Sequence, residues 1–70
     1  MIPEDQLWRV FEKYWKDNRN SFSKLKQDKR VILLAQEATR IFKAPIDGEN
    51  NVNMDIFYVA FDFERKEIDR

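Results

Sequence analysis

Asp62 and Glu64 stand two residues apart in the last third of the chain, and a pair of carboxylates is the least equipment with which a protein can run acid–base chemistry. On a strand the two would share a face; on a helix they would not. A second oxygen-rich run, Asp47, Glu49, Asn51, Asn53 and Asp55, sets a side-chain oxygen at every other position, as a calcium loop does. The match fails where it matters. The sixth residue is Val52 where glycine makes the turn, and the twelfth is Tyr58 where a bidentate glutamate belongs.

No other reactive group comes to their aid. Histidine and cysteine are both absent, which removes imidazole bases, thiolate nucleophiles, disulfides and the commonest metal ligands. The single glycine excludes a glycine-rich phosphate loop. The acidic groups therefore read as solvated surface and polar loop. An enzyme is not expected, nor a cofactor, a metal or a small-molecule substrate.

Basic groups offer a different chemistry, the binding of phosphates or acidic surfaces. The densest stretch carries Lys13, Lys16, Arg19, Lys24, Lys26, Lys29 and Arg30 against Asp17 and Asp28. Net charge is zero, yet residues 1–43 hold ten Lys and Arg to six Asp and Glu, and residues 44–70 hold three to seven. Such a bipolar chain binds an acidic partner with one end or neutralises itself.

Seventy residues make a single small domain, 1–70. A chain of this size buries only about 60% of its unfolded surface, and here aromatics make up the deficit: two Trp, two Tyr and six Phe. The start, Met-Ile-Pro-Glu-Asp, has neither the basic nor the apolar region of a signal peptide. The longest apolar run, Ile56 to Phe61, is six residues, far short of the ~20 that span a bilayer. A cytoplasmic protein without membrane contact is the expectation.

These groups must be positioned by helices. Over 4–18 the apolar residues Leu7, Trp8, Val10, Phe11, Tyr14 and Trp15 fall on one side and Arg9, Glu12, Lys13, Lys16 and Asp17 on the other. That apolar arc spans about 160°, wider than the ~100° one packed face needs, and the surplus lies at Trp8 and Trp15. Trp8, nearer the fraying end, is the one expected to stay exposed. Asn18–Ser21 reads as a turn, with Ser21 or Ser23 as a cap. A second helix covers 22–43, continuous or broken near Lys26–Asp28 with Asp28 capping the second piece. It ends at Ala44-Pro45. Leu34 and Ala38 sit at the centre of its apolar face and should be core. Residues 45–53 form a loop.

The last segment is ambiguous. Residues 55–64 have the β-branched and aromatic content of a strand, which would pair in a short hairpin or with another chain and make the fold α+β. As a helix over 54–68 it has Asn53 as cap, Asp55 in its first turn, and an apolar stripe of Met54, Phe57, Tyr58, Phe61 and Ile68. Ile56, Val59 and Phe63 are left off that stripe. A helix needs no missing partner, so the favoured fold is mainly α, a compact three-helix domain.

Two functions fit. The first is a small protein-binding module (a regulator, inhibitor or adaptor) that occupies a partner surface, alone or as a homodimer, through Trp8, Trp15 and Tyr58. Inhibitors encoded by phages and mobile elements share this size and composition, though no motif here ties the chain to them. The alternative is nucleic-acid binding by the stretch 9–30, through Arg9, Lys13, Lys16, Arg19, Lys24, Lys29 and Arg30, against which stands a pI of about 6.2.

Overall fold

Four helices and no strand account for the described residues. The structure is a computed structural model and describes residues 2–69. Helix α1 (Glu4–Asp17) is entered from Pro3, whose carbonyl accepts from the Gln6 and Leu7 amides at 3.1 and 3.2 Å. Proline has no amide to leave unpaired there, and Glu4 and Asp5 complement the positive end of the helix.

The segment 18–43 folds differently from its sequence reading. Asn18–Ser21 is not an open turn: Arg19–Phe22 closes a single helical turn, α2. Asn18 makes the corner, its amide and its Nδ2 both donating to the Tyr14 carbonyl. The break that follows occupies residues 23–26, and α3 (Gln27–Ile41) starts after Lys26 in extended conformation. Neither serine caps it. Ser23 donates its hydroxyl back to the Asn20 carbonyl at 2.7 Å, and Asp28 lies inside the first turn, accepting from the Lys29 amide. The break has a packing cause. Phe22 fills the gap under Tyr14 and Trp15, with ring centroids 5.7 and 6.0 Å apart, whereas Val31, Leu34 and Ala38 face the other helices. One straight helix would present these two sets on opposite sides.

Helix α3 also stops earlier than Pro45 requires. Lys43 adopts the left-handed conformation (φ 51°). The Ala44 amide bonds back to the Thr39 carbonyl and the Lys43 amide to the Arg40 carbonyl, the paired bonds of a Schellman termination. The loop beyond is pinned rather than slack. Asp47 Oδ1 accepts from the Met54 amide at 2.8 Å, Asn53 Nδ2 donates to the Pro45 carbonyl, and Gln36 Nε2 donates to the Asn50 carbonyl. Asn50 and Asn51 are both left-handed (φ 61° and 58°), which accounts for asparagine there.

Helix α4 (Met54–Phe63) settles the ambiguous segment as helical. Asn53 caps it, with Oδ1 accepting from the Ile56 amide at 3.2 Å. Its final turn, Glu64–Ile68, widens to π geometry and closes with the Asp69 amide on the Glu64 carbonyl at 2.8 Å. α3 and α4 run antiparallel. Arg30, near the start of α3, reaches Glu64 beyond the end of α4, and Thr39, near its end, accepts the Asn53 amide just before α4 begins. The core lies among Leu7 and Phe11 of α1, Phe22, the Val31–Leu34–Ala35–Ala38 face of α3, and Ile56, Ala60 and Phe63 of α4. Leu34 and Ala38 are fully buried, as their place in the apolar face requires.

Candidate functional site

The fully buried residues of α4 are not on its apolar stripe, whose Met54, Phe57 and Ile68 are only half-buried against the core. Ile56, Ala60 and Phe63 are buried, while Tyr58 stands 63% and Phe61 40% exposed. Two features reverse the expectation. Ala60 carries only a methyl group, which lets the backbone of α4 approach α3 closely. Four residues on, Glu64 lies on the same inward row and is wholly buried. A carboxylate at that position disqualifies the row in any count of hydrophobicity, although its partners were present in the sequence.

Those partners are Gln27 and Arg30, three residues apart on α3 and so on one face. Gln27 Nε2 donates to Glu64 Oε1 at 2.7 Å, and Arg30 Nε and Nη2 donate to Oε2 at 3.1 and 2.8 Å. Arg30 Nη1 also bonds the Leu25 carbonyl at 2.6 Å. One guanidinium thus fastens the break before α3, the start of α3 and the end of α4. Glu64 is not solvated surface, and its burial separates it from Asp62, which lies outside and pairs with Arg65 at 3.4 Å. The two carboxylates do not share a site, and the acid–base chemistry considered for them has no geometry here. Of the oxygen-rich run 47–55, Asp47 and Asn53 pin the loop and cap α4, and no cluster of metal-ligating residues occurs among the described residues.

On the outer side of α4 the residues Met54, Tyr58, Phe61 and Arg65 follow one another at spacings of four, three and four. This is the rhythm by which a helix presents one stripe to a groove or a second helix. Phe57 and Tyr58 meet edge to face with centroids 6.0 Å apart, and the Arg65 guanidinium lies 5.6 Å from the centre of the Phe61 ring. Arg65 covers part of Phe61 without removing it from solvent. Met54 packs against Gly48, where a Cβ would collide with its sulfur.

Trp8 and Trp15 are both half-buried along the edge of α1. Trp8 sits edge-on against Phe63 of α4, with centroids 5.0 Å apart. Trp15 leans on Phe22 and carries the Arg19 guanidinium 5.3 Å from its ring centre. Of the three aromatic residues singled out in the sequence, Tyr58 is the exposed one. Phe61, which the sequence reading assigned to the interior stripe, joins it.

The basic stretch is dispersed. Arg9, Lys13, Lys16, Arg19, Lys24 and Lys29 are exposed, but Lys13 pairs with Asp17 at 2.9 Å and Lys16 with Glu12 at 3.9 Å. The hydrogen bond to Asp17, and behind it the carboxylate's charge, raises the Lys13 ammonium above its usual range. Arg30 is turned inward, its side chain 14% exposed and committed to Glu64.

At the opposite pole, a cleft of about 690 Å³ opens between the start of α1, the end of α3 and the start of α4. Leu7, Phe42, Ile56 and Val59 line its apolar part, and Glu4, Lys43 and Asp55 stand among its polar residues. No helix among the described residues is long and apolar enough to cross a membrane. Compared with protein-family models, curated proteins and solved structures, the chain matches none of them.

Proposed function

We propose that this chain is a small protein-binding module, a regulator, inhibitor or adaptor without catalysis of its own, that occupies a partner's surface with the outer side of α4. The observation that supports the reading is the exposure of Tyr58 and Phe61, at 63% and 40%, on a helix whose other side already fills the core. Large rings left this open, one turn apart, contribute to the fold less than a buried ring would. Buried against a complementary groove, they supply the aromatic anchors on which binding energy concentrates. The charge pattern favours a protein over a nucleic acid, because Lys13, Lys16 and Arg30 are already engaged by carboxylates of the same chain.

A photoreactive phenylalanine analogue at position 58 tests the proposal in cells of the native host. A covalent adduct with another polypeptide is expected, lost when Phe61→Asp is added and absent when the analogue stands at Lys16 on the far side of α1. Equal labelling from positions 58 and 16 would remove the outer side of α4 as the contact.

A further inference from the structure

Two rows of α4 compete for the core, one residue out of step. Ile56, Ala60 and Glu64 form the inward row, and Phe57, Phe61 and Arg65 form its neighbour. Each reads apolar, apolar, charged, and turning the helix by about 100° would exchange them. Hydrophobic area separates the two settings only modestly: the observed one buries Ile56, Ala60 and Phe63, and the turned one would offer Phe57 and Phe61 while moving Glu64 toward the seat of Phe63.

What distinguishes the rows is their last member and the group it would meet. Arg30 projects from α3 toward that position and is only 14% exposed. With Glu64 inward, the guanidinium and carboxylate satisfy each other through two hydrogen bonds, at 3.1 and 2.8 Å. With Arg65 inward, two guanidiniums would face each other away from water, where like charges repel strongly and Arg30 would lose the carboxylate it now binds. Arg65 instead lies outside over Phe61 and beside Asp62.

We propose that the order of charge at positions 64 and 65, read by Arg30, fixes the rotation of α4 and so decides which rings a partner meets. The helix is held in the setting that keeps Phe61 outward beside Tyr58. The rotational claim stands on geometry alone; its bearing on function rests on the outer side of α4 being the contact surface.

The decisive variant is Arg30→Met with Glu64→Met, which removes the charges but keeps apolar bulk. Such replacements of buried ion pairs generally leave a protein folded. Nuclear Overhauser contacts between Trp8 and Phe63, and broadening of the Phe61 ring by a soluble paramagnetic probe, report the setting of the helix. The expected result is a weakened or doubled Trp8–Phe63 contact together with protection of Phe61. A single unchanged Trp8–Phe63 contact with Phe61 still open to the probe would overturn the proposal and leave the packing of Ala60 as sufficient. Arg30→Glu should turn the helix in the same sense, and adding Glu64→Arg should restore the original contacts; failure of that restoration in a folded protein also counts against it. Crosslinking from position 58 is independent of these signals. A helix that turns in a protein that captures nothing keeps the rotation and loses the function, and the converse result does the opposite.

Discussion

Trp8 meets Phe63 edge to face, with ring centroids 5.0 Å apart and planes at 77°, so the indole at the free edge of α1 rests on the innermost ring of α4. Its removal should be felt as a loss of packing. Trp8→Ala is expected to cost about 3 kcal/mol, whereas Tyr58→Ala, whose ring is 63% exposed, should change stability by no more than about 0.5 kcal/mol. Urea titrations of the two variants side by side make the comparison. Equal losses would mean that Tyr58 is a structural residue.

Cutting one side of the buried ion pair should be far worse than replacing both. Arg30→Ala strands the Glu64 carboxylate at zero exposure, and breaking a buried pair in this way costs about 3–5 kcal/mol. The paired Arg30→Met/Glu64→Met variant is expected within about 1–2 kcal/mol of the parent. Denaturant midpoints at constant slope would show the ordering, and a milder loss for the single variant would contradict it.

Leu34 has no exposed surface and sits in the middle of α3. Leu34→Ala should cost about 2–5 kcal/mol through lost burial and the cavity left behind. A domain of this size has about 5 kcal/mol in total, so calorimetry should find much of the variant unfolded at physiological temperature. An unchanged melting temperature would place the core elsewhere.

Lys43 is the residue for which a substitution should help. It holds a left-handed conformation (φ 51°) at the Schellman end of α3, where a Cβ is a steric burden and glycine is the usual occupant. Lys43→Gly should raise stability by about 0.5–1 kcal/mol after allowing for the greater freedom of glycine in the unfolded chain. A lower melting temperature would show that the lysine side chain contributes more than its backbone costs.

Phosphate binding by the exposed cations of the stretch 9–30 should be weak. Titration with duplex DNA and single-stranded RNA at low salt is expected to give no retarded band. A complex whose affinity falls steeply as salt rises, and which is lost when Lys13, Lys16, Lys24 and Lys29 are changed together to Glu, would reinstate the nucleic-acid reading.

How far the sequence could be read follows from which interactions are local. α1, the later part of α3, the Asn53 cap and the burial of Leu34 and Ala38 come from apolar periodicity and helix-end chemistry, which neighbours in sequence determine. α2 does not, because Asn18–Ser21 has the composition of a turn and closes into a helix only with Phe22 packed under Tyr14 and Trp15. Lys43 gives no sign of its conformation either, since lysine is not a residue that seeks positive φ. The largest misreading, the inward side of α4, comes from Glu64. Its burial depends on Gln27 and Arg30, far away in the chain, and a charge counts as polar until its partner is known. Tyr58 and Phe61 stand on the same apolar stripe, so the exposure of both was hidden for the same reason.

The bond between Arg30 and Glu64 joins residues 34 positions apart, and this has a consequence for the order of folding. The carboxylate stays hydrated until α3 has formed and α4 has docked along it, because only then does a buried position exist to receive it. Its desolvation is therefore expected late in assembly, and loss of the clasp is expected to quicken unfolding more than it slows folding, which stopped-flow rates of the paired Arg30→Met/Glu64→Met variant would check. On that expectation the clasp bears on how long the native state lasts rather than on how fast it is reached, and its loss would shorten the lifetime of the exposed aromatic side of α4 before any partner had bound it.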